Sequence, residues 1–280
     1  MFIFEIIKAV LFGIVEGITE WLPVSSTGHL ILLNEFINLK VSPQFQSMFD
    51  VVIQLGAILA VIVIFFEKLN PFSPKKSHAK KNATWQLWFK VCLAILPSGL
   101  VGVLFDDWMD AHLHHGIPVA IALIVYGIAF ILVEKRNEGI KPRIGKVWHI
   151  DYKTALLIGC FQCLSLVPGT SRSGSTILGA ILLGVGRSAG SEFSFFMAIP
   201  TMLGASAIKL LKFLLSGAAF GFGEFVLLTV GTLVSFIVSM AAIKALMNYV
   251  RKHSFSAFGW YRIVLGAVVL VYFVIKGILA

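Results

Sequence analysis

The amino-acid sequence predicts an all-α polytopic membrane protein: six transmembrane helices plus two re-entrant helix–loop–helix hairpins, arranged as an inverted-topology repeat. Three observations carry this. Of 280 residues, 58% are hydrophobic and 13% charged, against about a quarter charged in an ordinary soluble domain. Six apolar runs approach the roughly 20 residues a helix needs to cross hydrocarbon. Two further apolar regions are broken by polar tips containing Gly and Pro, as re-entrant segments are. The chain 1–280 reads as one integral membrane domain, with repeat one over about 1–135 and repeat two over about 150–280.

Taken in order, residues 2–37 form the first hairpin. It is interrupted at Pro23 and by Ser25-Ser26-Thr27-Gly28. The piece from Leu30 to Ile37 would be only about 12 Å long as a helix, too short to span. Spans follow at 48–66, 87–105 and 117–133. Residues 154–186 form the second hairpin, broken from Pro168 through the serines that follow. The last spans lie at 193–215, 224–246 and 260–279. The cysteines Cys92, Cys160 and Cys163 all sit in apolar segments, and the Cys160–Cys163 pair lacks the second pair or histidines of a zinc site. They are read as packing residues. Glu5 and Lys8 interrupt the first apolar run, so no cleavable signal is expected.

Charge orients the spans. The net charge of +9 is spread over short runs between apolar segments, the pattern of loops facing an anionic inner leaflet; no nucleic-acid partner is expected. Lys68, Lys75, Lys76, Lys80 and Lys81 mark one inner loop. Lys135, Arg136, Lys141, Arg143, Lys146 and Lys153 mark another. The acidic, His-rich connector Asp106–Gly116 between them falls outside. Lys244, Arg251 and Lys252 mark the inside again. On this reading the hairpins enter from opposite faces. An offset of 146 positions superposes them: Gly13 on Gly159, Glu16 on Gln162, Thr19 on Ser165, Ser25 on Ser171, Thr27 on Ser173, Gly28 on Gly174 and Ile31 on Ile177. Broken helices meeting in an inverted repeat are also a transporter architecture, so transport of phosphorylated lipid or small anions stands as an alternative function.

The chemistry-bearing residues concentrate at the two tips. Glu16 and Glu20, four apart, share one helix face. Two carboxylates that close repel unless a proton or a cation lies between them, and their oxygens suit Mg²⁺ or Ca²⁺. The plain alternative is a pair of acids at the lipid–water interface. Ser25, Ser26 and Thr27 open a short helix, whose N-terminal N–H groups and dipole favour phosphate; the alternative is that they only cap it. His29 lies three residues after Ser26, in reach as its base or as a nucleophile itself. In the second tip, Arg172 is flanked by Ser171 and Ser173. An arginine well inside an apolar region needs a partner or a cavity, and its planar fork matches phosphate; the alternative is an ion bridge to Glu16 or Glu20. Gln54 and Glu192 are polar residues near span ends that could support the site. Together the tips describe a phosphate or diphosphate site with a divalent ion.

The stretches VEGITEWLPVSSTGHL, VVIQLGAILAV, LVPGTSRSGSTI and SEFSFFMAIP resemble the undecaprenyl-diphosphatase family of bacterial membranes, the bacitracin-resistance type, over nearly the whole chain. The resemblance implies a hydrolase that converts undecaprenyl diphosphate to undecaprenyl phosphate and inorganic phosphate, recycling the lipid carrier of cell-wall synthesis. It also implies a plasma-membrane location with a site opening to the outer face. Bacitracin would compete by binding the substrate. Carried over by position, Glu16 and Glu20 are the family's acidic pair and the metal ligands, with Mg²⁺ or Ca²⁺ as cofactor. Ser26, Thr27 and His29 belong to its hydroxyl–histidine segment, and Ser171, Arg172 and Ser173 to its second motif. The catalytic set is then Glu16, Glu20, Ser26, His29 and Arg172, and the phosphate-binding set Ser25, Thr27, Ser171, Arg172 and Ser173. Three attacks fit these residues: Ser26 with His29 as base, His29 itself, or water with His29 as base. Partners are the polyprenyl diphosphate and membrane lipids; small-residue stretches such as Gly204–Ala207 could pack helices within the chain or between chains, the latter giving a homodimer.

Overall fold

In the computed structural model, which describes residues 2–113, 115–217 and 221–279, the chain is helical almost throughout. The helices are α1 (Phe2–Thr19), α2 (Ser26–Phe36), α3 (Pro43–Val52), α4 (Gln54–Ile64), α5 (Phe66–Leu69), α6 (His78–Leu113), α7 (Gly116–Arg136), α8 (Tyr152–Cys163), α9 (Arg172–Leu182), α10 (Arg187–Leu215), α11 (Phe222–Val250) and α12 (Ser256–Leu279).

Six stretches are long and apolar enough to cross a membrane: Pro43–Ile64, His78–Phe105, Gly116–Arg136, Arg187–Leu215, Phe222–Val250 and Ser256–Ile278. The expected spans all fall on them, with shifted ends. The first starts at Pro43 rather than residue 48, because Ser42 accepts the Phe45 N–H (3.1 Å) and proline suits the first helical position. It is α3 and α4 together, separated at Ile53. The second, α6, carries Pro97 in its interior and runs on to Leu113. The connector expected from Asp106 is therefore helical as far as Leu113. The side chains of Asp106, Asp107 and Asp110, and His114, lie outside the described residues.

The outer surface is apolar along the helices. On α12, Val264, Val268, Val271 and Ile275 are all at least half exposed, a stripe at helical spacing. Exposed apolar rows of this length belong against lipid rather than water. Cys92 and Cys160 also lie on outer faces, and all three cysteines are free, so only Cys163 is partly packed as expected. Gly204 has open space beside its Cα, so the Gly204–Ala207 stretch is not used for packing at that position within the chain.

The interior is built by close helix approach. α1 lies on α11 where Gly13 faces Gly231; a Cβ at Gly13 would stand 2.6 Å from the Gly231 carbonyl. α8 lies on α6 where Gly159 faces Ala94, with a Cβ only 2.0 Å from that carbonyl. These glycines are the pair matched by the 146-residue offset. α7 packs along α12 in the same fashion. Trp21, between α1 and α2, is fully buried edge-on against Phe195 of α10 (5.1 Å, 87°).

Candidate active site

Each broken helix ends in a turn and restarts at a capping serine. After α1, Glu20–Val24 form the turn, and Ser25 caps α2 by accepting the Gly28 N–H (3.2 Å). After α8, a short 3₁₀ segment and Pro168-Gly169-Thr170 lead to Ser171, which caps α9 by accepting the Gly174 N–H (3.1 Å). Ser25 (φ 72°) and Ser171 (φ 75°) are the only non-glycine residues with positive φ among those described. Their offset is again 146. A serine held there costs on the order of 1–3 kcal/mol, and such strain persists only where surrounding structure enforces it.

The caps bring the two tips into contact. Glu20, 7% exposed, accepts the Ser26 hydroxyl on Oε2 (2.6 Å). Its Oε1 accepts Arg172 Nη2 (3.0 Å) and Nε (3.3 Å). Arg172 also donates through Nη1 to the Ser194 carbonyl (2.7 Å) and lies over the Trp21 ring. Ser173 donates to the Glu20 carbonyl (3.0 Å). Thr176 and Ser194 share a hydrogen bond behind the arginine (2.7 Å). Glu20 thus joins a hydroxyl from its own tip to a guanidinium from the other, in a site almost closed to water.

Glu16 is fully buried, and neither carboxylate oxygen has a hydrogen-bond partner. Its charged neighbours are Glu20, Asp50 and Arg172. A buried carboxylate with no donor is costly, so this donor set suits a divalent cation. No group of three His, Cys, Asp or Glu side chains suited to a metal occurs among the described residues. Two carboxylates with the remaining ligands supplied by substrate oxygens is the usual manner of binding Mg²⁺ beside phosphates, and the residues fit that manner.

Two expectations change. His29 does not pair with Ser26. Its Nδ1 faces the Ser25 carbonyl (2.7 Å) and its Nε2 the Tyr261 hydroxyl (2.7 Å), with the two rings stacked. Ser26 occupies the first turn of α2 and points back across the turn to Glu20, whereas the imidazole folds onto the carbonyl four residues earlier. The hydrogen-bond acceptor of the Ser26 hydroxyl is therefore Glu20. Ser25 and Ser171 accept their cap bonds on the hydroxyl oxygen and keep an O–H to donate; Ser171 also shares a hydrogen bond with Ser173 (3.2 Å), which donates to the backbone of the opposite tip. Of the expected phosphate set, Thr27 is half-buried beside them and Arg172 is engaged with Glu20. Glu192 is elsewhere, paired with Lys68 (2.7 Å). Gln54 begins α4.

The structure adds residues the sequence pattern did not single out: Asp50 beside Glu16, Ser194 behind Arg172, Tyr261 against His29, and its neighbour Arg262. For Asp50 and Arg262 the signal was present, since both are charged residues within the predicted spans 48–66 and 260–279. Ser194 lay within the stretch SEFSFFMAIP without standing out from it, and Tyr261 carried no signal.

Comparison with known proteins places the chain among relatives over nearly its whole length. The family model of bacitracin resistance protein BacA matches residues 9–268. A protein of Streptococcus equi subsp. equi named undecaprenyl-diphosphatase is 55% identical over 278 residues, covering 99% of this chain and 100% of its own. Proteins of the same name from Limosilactobacillus fermentum and Enterococcus faecalis are each 56% identical, covering 96% and 95% of this chain and 98% and 96% of theirs.

Proposed function

This chain belongs to the bacitracin resistance protein BacA family, and we infer that it hydrolyses undecaprenyl diphosphate to undecaprenyl phosphate and inorganic phosphate, with bacitracin resistance as the consequence. It is a multi-pass membrane protein by its six apolar helices. The observation that carries a catalytic reading is the Ser26–Glu20–Arg172 chain between the tips.

In the proposed mechanism the terminal phosphoryl group enters between α2 and α9, at the N-terminal ends of both helices, where backbone N–H groups and dipoles favour negative charge. Ser26 Oγ attacks the terminal phosphorus and passes its proton to Glu20. The bridging P–O bond breaks and undecaprenyl phosphate leaves. Glu20 gives that proton to the departing phosphate oxygen, then takes one from the water that cleaves the phosphoserine, and returns it to Ser26 Oγ as inorganic phosphate leaves. Arg172 holds the equatorial oxygens. Glu16 and Glu20 would hold Mg²⁺ or Ca²⁺, which supplies charge neutralisation at the diphosphate. His29 shapes the cap through Ser25.

The two broken helices are re-entrant hairpins of an inverted repeat in this proposal. Support comes from the matched caps Ser25 and Ser171, and from the packing of α1 on α11 and of α8 on α6. Access is from the outer face of the plasma membrane. The lipid tail lies against the apolar helix faces beside the tips, membrane lipids surround the rest, and bacitracin acts by sequestering the substrate. Gly204, open to one side, leaves a face on which a second copy can pack.

Phosphate release from a prenyl diphosphate by the purified protein in detergent tests the reading. Release that requires a divalent ion and is lost in Glu20→Gln is the expected result. Lipid movement across a vesicle without phosphate release would replace hydrolysis by the transport reading that the inverted repeat also suits.

A further inference from the structure

We propose that Arg262 is a positioning residue of this site: a single buried guanidinium on α12 that locks the two tips in register and leaves its charge for the diphosphate. The proposal rests on the hydrolytic reading above and adds a third element, α12, to a site otherwise made of two tips.

Arg262 has no exposed surface. Nη1 donates to the Pro23 carbonyl (3.1 Å), Nη2 to the Gly169 carbonyl (2.8 Å) and Nε to the Leu123 carbonyl of α7 (3.4 Å). Its plane lies near the ring of Tyr126. Pro23 and Gly169 are themselves 146 positions apart, and each stands two residues before a capping serine, Ser25 or Ser171. The two arms of one planar fork therefore hold equivalent carbonyls in the two tips. The separation and rotation of the caps follow from a rigid group of fixed geometry.

The approach of the second tip is enforced from below. Gly169 has φ +91°, and a Cβ there would stand 2.6 Å from the Val119 carbonyl. Only glycine lets this turn press onto α7 and present its carbonyl to Arg262. Gly28 of the first tip meets the same stretch of α7, at Leu123 and Val119. Both tips thus rest on one turn of α7, with Arg262 binding that turn as well.

The charge is the second half of the proposal. Arg172 is paired with Glu20, whereas every hydrogen-bond partner described for Arg262 is a neutral carbonyl. A cation buried without an acid is unfavourable unless an anion completes it, and the diphosphate is the anion this site receives. Next to it, Tyr261 meets His29, so consecutive residues of α12 contact both the histidine and the tips.

Two variants separate geometry from charge. Purified full-length wild type, Arg262→Lys and Arg262→Gln are compared for folded yield, thermal stability, kcat and KM on a prenyl diphosphate, and affinity for a non-hydrolysable prenyl methylene-bisphosphonate. Lysine keeps the charge but is a compact point donor without the planar fork that reaches carbonyls in both tips. Arg262→Lys is expected to lower kcat of the folded protein by about 30-fold or more while analogue affinity changes less than about threefold. Arg262→Gln is expected to lose kcat similarly and to weaken analogue binding by about tenfold or more. In a Glu20→Gln background, Arg262→Lys should add little, because both act through the same contact between tips. Wild-type kcat in Arg262→Lys, unchanged analogue affinity in Arg262→Gln, or losses that match only the loss of folded protein would each overturn the proposal. A wild type that binds the analogue but releases no phosphate would overturn the hydrolytic reading instead. The analogue affinities of the two variants would then decide the charge half, and the register half would fall with the catalysis it serves.

Discussion

Glu20 is gripped from both sides: Ser26 of its own tip donates to one carboxylate oxygen at 2.6 Å, and Arg172, 152 residues later, closes on the other at 3.0 Å. A carboxylate held between a hydroxyl and a guanidinium is oriented as a base for that hydroxyl. The arginine anchors its other oxygen and, in the proposed mechanism, also meets the phosphoryl oxygens.

Removing either end of the Ser26–Glu20 pair should be severe. Ser26→Ala is expected to lower kcat by about 10³-fold or more, and Glu20→Gln by about 10²–10⁴-fold, with folded yield retained. Phosphate release under single-turnover conditions measures both. Near-normal turnover in Ser26→Ala would exclude serine as the nucleophile.

The covalent intermediate should be acid-stable. His29 has one ring nitrogen on the Ser25 carbonyl and the other on the Tyr261 hydroxyl, leaving no free lone pair for phosphorus. Rapid acid quench with labelled substrate is expected to trap phosphoserine at Ser26. An acid-labile, base-stable phosphohistidine would reassign the attack to His29.

Chelation should abolish activity and readdition of Mg²⁺ or Ca²⁺ restore it. Because neither oxygen of Glu16 has a protein partner, Glu16→Gln is expected to raise the ion concentration giving half-maximal rate by about tenfold or more. An unchanged ion titration would remove Glu16 from the metal site.

The strained caps give a stability test with a sign. At Ser25 and Ser171 the positive φ favours glycine, and the hydroxyl favours serine. Serine to glycine exchanges the cap, worth about 1 kcal/mol, for relief of strain, and should leave the melting temperature nearly unchanged. Serine to alanine loses the cap and keeps the strain, and should be clearly less stable in the same thermal scan. Equal stability of the alanine and glycine variants would show that the strain is not real.

Trp21 anchors the first tip in the phenylalanines of α10. Trp21→Ala should destabilise by about 3–5 kcal/mol. Activity should fall more than the folded fraction, because Trp21 also lies under Arg172.

The tips were legible in the sequence because membrane-buried polar residues are expensive and therefore conspicuous. Glu16, Glu20, Ser26 and Arg172 stood out against apolar surroundings, and the structure gathers them. Arg262 carried the same signal but sat two residues inside a predicted span, where a long cation reads as one reaching for the interface. Ser194 lay in a phenylalanine-rich span with nothing to show that its carbonyl would back an arginine.

By itself the sequence determined the membrane class, the six apolar spans with starts up to nine residues off, the two broken helices and the 146-residue correspondence between them. These follow from hydropathy and backbone chemistry, which act along the chain. Only the tertiary structure decided who pairs with whom: that Ser26 turns to Glu20 and not His29, that Glu16 is left without a donor, and that Arg262 holds both tips. Those pairings depend on how closely Gly13, Gly159 and Gly169 let backbones approach, and on which face each helix then presents. Hydrogen bonds are decided by fractions of an ångström, and separation along the chain carries no information at that scale.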